Sequence, residues 1–290
     1  MSDQKAENKP FWVMTFNIGG QDWMGFQERK HLAERLLHGP STPDIIGFQE
    51  FGEQNWLDMD CPEGHMLHCG YSIADHGERI SNAIAHNKAR FLHQYSGSEW
   101  LSDDGEMHEA WGGGVRNFSW CTFTERDSAH EQFLVVNMHL DNKSLEARTK
   151  GAQKILSFIK ENEYACDLPV VILADSNTSV NSPNASVRRS HYREPYDVFR
   201  NAGFLDAWIE AGPRDEHGEL RDPYRVRPMT YHHFQGEDYA SAIDEFGTWD
   251  TDWILVRGFD VINCTLVRDY ENGIYPSDHY PMRAMLKFKE

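Results

Sequence analysis

An α/β fold is what this 290-residue sequence predicts, and three observations predict it. Residues 170–178 read V-V-I-L-A-D-S-N-T, four consecutive apolar β-formers stopped by Asp175, Ser176 and Asn177. A run without polar alternation marks a strand covered on both faces. Residues 11–50 read as strand, helix and strand, a βαβ unit whose two strands should lie parallel with their polar tips at one end. Five segments along the chain end in the same way, apolar then abruptly polar, and open α/β sheets carry their chemistry at such carboxyl ends. Asp-Ser-Asn is also ordinary turn chemistry after a strand, so the recurrence is what gives the pattern meaning.

Residues 11–16 (F-W-V-M-T-F) form the first strand, and Asn17 stands at its tip before the turn signal Gly19-Gly20. Leu32, Ala33, Leu36 and Leu37 recur at helical spacing over residues 28–38, and Gly39-Pro40 stops that helix. Residues 44–48 (D-I-I-G-F) give a buried strand that delivers Gln49 and Glu50, which makes Asn17 and Glu50 neighbours. Residues 52–110 are less regular, with strands expected at 71–74 and 82–86 around a turn at 75–78. A polar, Gly-rich stretch beginning at Trp100 runs to Gly114, and long loops of this kind belong to the binding side of an enzyme or are mobile.

Residues 118–124 alternate as an antiparallel strand does, and 133–138 form a strand ending in His139, Leu140, Asp141 and Asn142. A helix follows from Ser144, with Leu145, Ala152, Ile155, Leu156 and Ile159 as its inward stripe. Pro169 then restarts the chain into 170–178. A polar loop covers 179–194, and 195–202 is a short helix with Pro at its first position and Gly203 past its last. Residues 229–234 (M-T-Y-H-H-F), an acidic linker, a strand at 253–256 led by Asp252, the unit Y-P-S-D-H-Y-P at 275–281 and the alternation Met282, Ala284, Leu286 complete the chain.

The polar tips run from residue 17 to residue 279, so a single domain over 11–290 is expected, preceded by a disordered lead at 1–10. That lead has no apolar stretch of a secretory signal, and no 18 apolar residues run together, so a cytoplasmic protein without a membrane span is the expectation. Five cysteines without C-x-x-C spacing suggest reduced thiols and neither a disulfide framework nor a zinc ribbon. The net charge of −18 argues against a non-specific nucleic-acid binder with many phosphate contacts. It leaves room for an enzyme whose bound cations supply positive charge locally.

Collected, the strand-end residues are Asn17, Glu50, His139, Asp175, Asn177, Asp252, Asp278 and His279. With four carboxylates, two carboxamides, two histidines and no cysteine, the set suits a hard cation such as Mg²⁺ or Mn²⁺ better than zinc. A carboxylate-held ion of this type neutralises phosphoryl groups during transfer.

Six blocks carry a resemblance: T-F-N at 15–17, D-I-I-G-F-Q-E at 44–50, N-M-H-L-D at 137–141, A-D-S-N at 174–177, T-D-W-I-L-V at 251–256 and S-D-H-Y-P at 277–281. In this order, spanning nearly the whole chain, they resemble the endonuclease/exonuclease/phosphatase superfamily. These are metal-dependent phosphohydrolases that include pancreatic-type deoxyribonuclease, apurinic endonucleases, sphingomyelinases and inositol-phosphate phosphatases. W-L-S at 100–102, R-x-x-x-W at 116–120, H-L-D-x-x-S-x-x-A-R at 139–148 and T-Y-H at 230–232 are similar to blocks of a bacterial and fungal subgroup within it.

The resemblance implies a four-layer α/β/β/α sandwich of two mixed β-sheets flanked by helices. It implies that Glu50 binds the metal with Asn17 beside it and Asp278 in or near the coordination sphere. By the same resemblance Asp175 and Asn177 orient the attacking water and the phosphate. His279, hydrogen-bonded to Asp252, acts as general base or as a positive clamp on the phosphate, and His139 stabilises the transition state or protonates the leaving oxygen. Arg116, Asn82 and His232 are further candidates for substrate contacts. For Arg116 and Arg148 a structural ion pair competes with phosphate binding, and most of the 15 histidines, His233 among them, are expected at the surface or in the core.

Three departures bear on the substrate pocket. G-D-F-N of the family is Ala174-Asp175-Ser176-Asn177 here; R-I-D is Asp250-Thr251-Asp252, an anion for a cation; and where relatives carry a glutamate supporting the first histidine, Ile80 stands between Glu78 and Asn82. The expected function is a Mg²⁺- or Mn²⁺-dependent phosphodiesterase or phosphatase acting by in-line attack of water, with a small phosphorylated substrate favoured over long DNA by the acidity of the chain. An endonuclease of the apurinic-site or deoxyribonuclease type is one alternative. A catalytically idle member that binds a phosphorylated ligand or a partner protein is the other, although no obligate protein partner is evident.

Overall fold

Two sheets of six strands each, packed face to face, form the centre of the computed structural model. It describes residues 8–37, 42–51, 65–68, 82–126, 132–180, 193–215, 217–222, 225–242 and 249–289. The first sheet has the order β11-β12-β1-β2-β4-β3 and contains β1 (Phe11–Asn17), β2 (Ile45–Gln49), β3 (His65–His68), β4 (Ala83–Asn87), β11 (Phe259–Leu266) and β12 (Met282–Phe288). The second has the order β5-β6-β7-β8-β10-β9. Its strands are β5 (Phe91–Trp100), β6 (Asn117–Glu125), β7 (Phe133–His139), β8 (Val170–Asp175), β9 (Leu205–Asp206) and β10 (Asp252–Arg257).

Among the described residues only β1 with β2 and β7 with β8 run parallel. Each of these pairs is bridged by a helix, α1 (Phe26–Leu37) and α2 (Leu145–Glu161) respectively, as a parallel connection requires. The remaining pairings are antiparallel, so both sheets are mixed.

Uniformly apolar strands follow from the layering. Along β8, Val171 and Leu173 enter the core between the sheets, while Val170, Ile172 and Ala174 pack outward with Ala152, Ile155 and Ile159 of α2 and Phe199 of α3 (Glu194–Asn201). Along β1, Phe11 and Val13 face inward and Met14 and Phe16 face outward against Phe26, Ala33 and Leu37 of α1. Along these two strands successive residues therefore alternate between the opposite sheet and a helix. The four layers are α1, first sheet, second sheet, and α2 with α3. A further short helix, α4 (Ala207–Glu210), is N-capped by the Asp206 carboxylate, which accepts from Trp208 N at 2.9 Å.

The inward faces change character along their length. Near the closed end they are aromatic, with Phe11, Phe91, Phe123, Phe133, Phe259 and Phe288 in mutual ring contact. Higher up, Thr15, Gln49 and Asn137 replace them. Asn137 donates to the carbonyls of Phe48 (2.7 Å) and Ala83 (2.9 Å) and accepts from Gln49 Nε2 (2.6 Å), tying β7 to β2 and β4. At the rim, the same inward parity delivers Asn17, His139, Asp175 and Asp252.

Several features differ from expectation. Strands β3, β5 and β11 were not anticipated, and a strand expected over 71–74 lies outside the described residues. The strand begun at Val170 ends at Asp175, with 176–178 in the turn beyond it. Cys166 and Cys264 are free, but Cys121 is disulfide-bonded, so the expectation of five reduced thiols fails there. Among the described residues no helix is long and apolar enough to cross a membrane.

Candidate active site at the open end of the sandwich

Strand register brings the rim residues together. His139 pairs with Asp175 across β7 and β8, and Asp252 pairs with Asp175 across β10 and β8, so three tips share one row. Asn17 ends β1 in the facing sheet, and its Nδ2 donates to Asp175 Oδ2 at 2.8 Å and to Glu50 Oε1 at 3.2 Å. That amide is one direct polar link between the sheets at the rim. The segment leading into β12 is pinned to β1 by Ser277 Oγ, which donates to the Asn17 carbonyl at 2.7 Å and sets Asp278 and His279 beside it.

Asp175 is the centre of the network. Its Oδ1 accepts from the Asn177 backbone at 3.0 Å, and its Oδ2 lies 3.4 Å from His139 Nε2 and 3.8 Å from His279 Nε2. Asp252 Oδ2 sits 2.8 Å from His279 Nδ1 and accepts from Thr251 Oγ1 at 3.2 Å. Asn177 Nδ2 donates to His139 Nε2 at 2.9 Å and to the Leu140 carbonyl at 3.0 Å. A donor on Nε2 leaves that nitrogen as acceptor and puts the His139 proton on Nδ1, a buried atom without a partner. Among the described residues no carboxylate meets His139 Nδ1, and Asn82 spends its amide nitrogen on the carbonyl and Oδ1 of Asn117, both at 2.8 Å.

Electrostatics sort these groups. Burial opposes charge on His279, but Asp252 and Asp175 outweigh it and hold the imidazole well above its ordinary range. Burial raises the Asp175 carboxyl to about 7, with Asp252 adding to the rise and His279 and the Asn17 amide opposing it. Burial, helped by Arg116 and His279, drives His139 far down, so it is neutral. Asp175, Asp252 and His279 bring their ligand atoms within 4.8 Å of one another, a buried acid and histidine group that could hold a metal.

Two residues adopt left-handed backbone here, Glu50 at φ 52° and Asn177 at φ 48°. Asn tolerates this region, whereas a glutamate in it stores strain of the kind found at functional sites. The loss of Gly and Phe around Asp175 is made good locally, because Ser176 N and Oγ both donate to the Thr251 carbonyl, at 2.8 and 2.6 Å. The anion at Asp250 is also compensated. Fully buried Arg227 lies 3.2 Å from its Oδ2, pairs with Asp206 and donates to the Asp252 carbonyl at 2.6 Å.

The remaining candidates divide. Arg116 is half-buried beside Asp141 (3.9 Å) and donates to Asn142 Oδ1 at 3.2 Å, with its charge felt by His139. Arg148 donates to the Asp141 carbonyl at 3.1 Å. His232 has no exposed surface; it stacks on Tyr280 with centroids 4.0 Å apart, and its Nδ1 accepts from Gly236 N. Its neighbour Tyr231, which sequence reading passed over, sets its ring 5.0 Å from that of His279 and its hydroxyl 2.9 Å from His233 Nδ1. After burial, Asp278, then Tyr239, Glu50 and Asp175 raise the Tyr231 phenol, which locates it in the field of the site acids. Arg29, on the inward stripe of α1, was also overlooked; a cation among Leu32, Ala33 and Leu36 was its signal.

No family model and no curated protein matches this chain in sequence. Solved structures do match in shape. An endonuclease/exonuclease/phosphatase family protein from Bacteroides thetaiotaomicron superposes with TM-score 0.74 at 22% identity, covering 98% of this chain and 100% of its own. A mannosyl-6-phosphatase from the same species gives 0.72 at 22% identity over 96% and 100%. TDP2 of D. rerio, solved with a single-strand DNA product, gives 0.67 at 17% identity over 96% and 99%. Coverage of both chains nearly end to end means that the chain has the fold of the endonuclease/exonuclease/phosphatase proteins.

Proposed function

We propose that this protein is a divalent-metal-dependent phosphoester hydrolase that attacks phosphorus with water in line with the leaving oxygen. The observation that carries the reading is the convergence of Asn17, Glu50, His139, Asp175, Asn177, Asp252 and His279 on one buried rim from strands far apart in sequence. Glu50, with Asp278 and Asn17, would hold Mg²⁺ or Mn²⁺, an oxygen-rich set that suits a hard cation. Such an ion, when bound, neutralises charge on the phosphoryl oxygens.

The protein's own residues divide the proton work. Asp175, raised to about 7, can take a proton from water near neutral pH, the condition for an effective general base. His279 is held positive by Asp252 and therefore serves as a fixed cationic clamp on the phosphate. The Asn177 amide, bonded to His139 Nε2 and the Leu140 carbonyl, fixes neutral His139 beside Asp175 with Nε2 as an acceptor. Arg116 is the half-exposed cation beside this row and a candidate contact for the substrate anion.

The likeness to a mannosyl-6-phosphatase and the net charge of −18 both favour a small phosphorylated molecule as substrate. The likeness to TDP2 solved with a DNA product supports the second reading, a nuclease. A screen of phosphomonoesters, bis(p-nitrophenyl) phosphate, plasmid and abasic duplex with Mg²⁺ or Mn²⁺ separates them. Turnover that a chelator abolishes is expected, reduced about 10²- to 10⁴-fold in His279→Ala and lost in Glu50→Ala. Absence of metal-stimulated turnover on every ester would leave a binding protein and end the proposal.

A further inference from the structure

Arg29 has no part in the chemistry just described, yet it is 3% exposed and reaches three rim segments at once. Its Nη1 donates to the carbonyls of Ile18 (2.8 Å) and Pro276, and its Nη2 donates to the carbonyl of Gly19. Ile18 and Gly19 follow Asn17, and Pro276 precedes Ser277 and Asp278. The guanidinium also lies over the ring of Phe234 at 5.1 Å, in the left-handed pair His233 (φ 48°) and Phe234 (φ 60°) that follows Tyr231. A Cβ added to Gly19 would stand 3.0 Å from Arg29 Nη2 and 3.5 Å from Asp278 Oδ1, so cation and carboxylate flank the same glycine.

We propose that Arg29 is a positioning residue that clamps the loops after β1, before β12 and after Tyr231, fixing the spacing of Asn17, Glu50 and Asp278 so that one cation can be gripped. This rests on the hydrolase reading above. Burying an arginine is costly unless its donors are used; three backbone carbonyls take Nη1 and Nη2 and an aromatic face covers the plane, while Nε stays without a hydrogen bond and no carboxylate among the described residues pairs with the guanidinium. Asp278 and Glu50 stabilise the charge from a distance, against the burial that lowers the guanidinium to about 10. A fork of donors in one plane can span two loops, which the single ammonium of lysine cannot.

Charge and geometry make opposite predictions. A guanidinium near a cation site repels the cation, so if charge dominated, Arg29→Met would tighten metal binding and Arg29→Lys would leave it unchanged. If the clamp dominates, both variants weaken it. The test titrates Mn²⁺ into the full chain by loss of its free electron-paramagnetic-resonance signal. In parallel it measures Mn²⁺-dependent hydrolysis of bis(p-nitrophenyl) phosphate and thermal unfolding.

Both variants are expected to raise the Mn²⁺ Kd about 10- to 100-fold, with excess Mn²⁺ restoring part of kcat. Should Arg29→Met fail to fold, Gly19→Ala, which crowds Nη2 while leaving it in place, is expected to raise Kd in the same direction. Wild-type Kd in folded variants, whatever their melting temperature, would overturn the clamp alone. Absence of Mn²⁺ binding by the wild type would overturn the metal reading and the clamp together.

Discussion

At the scale of single residues, two of the three histidines that the sequence placed near the site, His279 and His232, are used in opposite ways. His279 is charged because two carboxylates outweigh its burial, whereas His232 is neutral because burial and the charge on His279 outweigh Asp278 and Asp252. His232 receives Gly236 N–H on Nδ1, which requires a lone pair there, and its ring is enclosed by Tyr280 at 4.0 Å and Tyr275 at 4.8 Å. Burial, with His279 adding repulsion, lowers it to about 4. The folded protein thus holds this proton less tightly than the unfolded chain, whose histidine titrates near 6.5. Stability from this group is complete above about 6.5 and falls as pH drops toward 4, by about 2 to 3 kcal/mol over the window. His232→Phe keeps the stacked ring, loses one hydrogen bond worth about 1 kcal/mol, and removes the titration. Urea midpoints at pH 7 and pH 4.5 should therefore differ less in the variant than in wild type, and equal differences would refute the assignment.

At the scale of elements, the corner between β7 and α2 shows why the H-L-D-x-x-S-x-x-A-R block reads as it does. Asp141, 2% exposed, accepts from Lys143 N (2.7 Å), Ser144 N (2.6 Å) and Gly114 N (2.8 Å), fixing both the start of α2 and the loop that carries Arg116. Ser144 caps the helix through Ala147 N and donates to the Trp111 carbonyl, and Gly113 leaves no room for a Cβ, which would stand 2.6 Å from Asp141 Cγ. Burial works against this carboxylate, but the backbone donors and Arg116 prevail and hold it below its ordinary value. Asp141→Asn should cost about 1 to 3 kcal/mol at pH 7 and raise KM through a loosened Arg116. Because a depressed carboxylate stabilises above its unfolded pKa, the gap should narrow as pH falls below about 4; a gap independent of pH would refute this.

Elements buried on both faces, such as β1, β7 and β8, were legible because each residue is apolar whichever way it points. Strands β5 and β11 were not, since bulges at 93–96 and 261–263 break their alternation and much of each faces solvent. Arg227 carries no local signal at all; only long-range packing puts it against Asp250 and Asp252.

At the scale of the whole molecule, the site exists because two sheets hold their rims at a fixed separation. Asn17, Glu50 and the Asp278–His279 segment belong to the first sheet, and His139, Asp175 and Asp252 to the second, so no single sheet contains the chemistry. Sequence could supply the tips but not their separation, which is set by what fills the gap beneath them. Near the closed end that filling is aromatic and centred on Phe133; near the rim it is Asn137, two residues before His139, joined to both β2 and β4. These two positions should fail differently. Phe133→Ala removes a fully buried ring far from the tips and should cost about 3 to 5 kcal/mol, with kcat retained at temperatures where the protein stays folded. Asn137→Ala removes the side-chain donor to the buried Phe48 and Ala83 carbonyls and one acceptor of Gln49 Nε2, which keeps Thr15 Oγ1, at about 1 to 3 kcal/mol for each buried group left unpaired. It also removes the tie between the sheets just beneath the rim, leaving Asn17–Asp175 and His279–Asp252 to hold it, so kcat should fall about tenfold, the 1.4 kcal/mol of one misplaced hydrogen bond. Urea unfolding paired with kcat at 15 °C on both variants distinguishes the two effects. Full kcat in a folded Asn137→Ala protein would mean that the separation of the rims is held by something other than this amide.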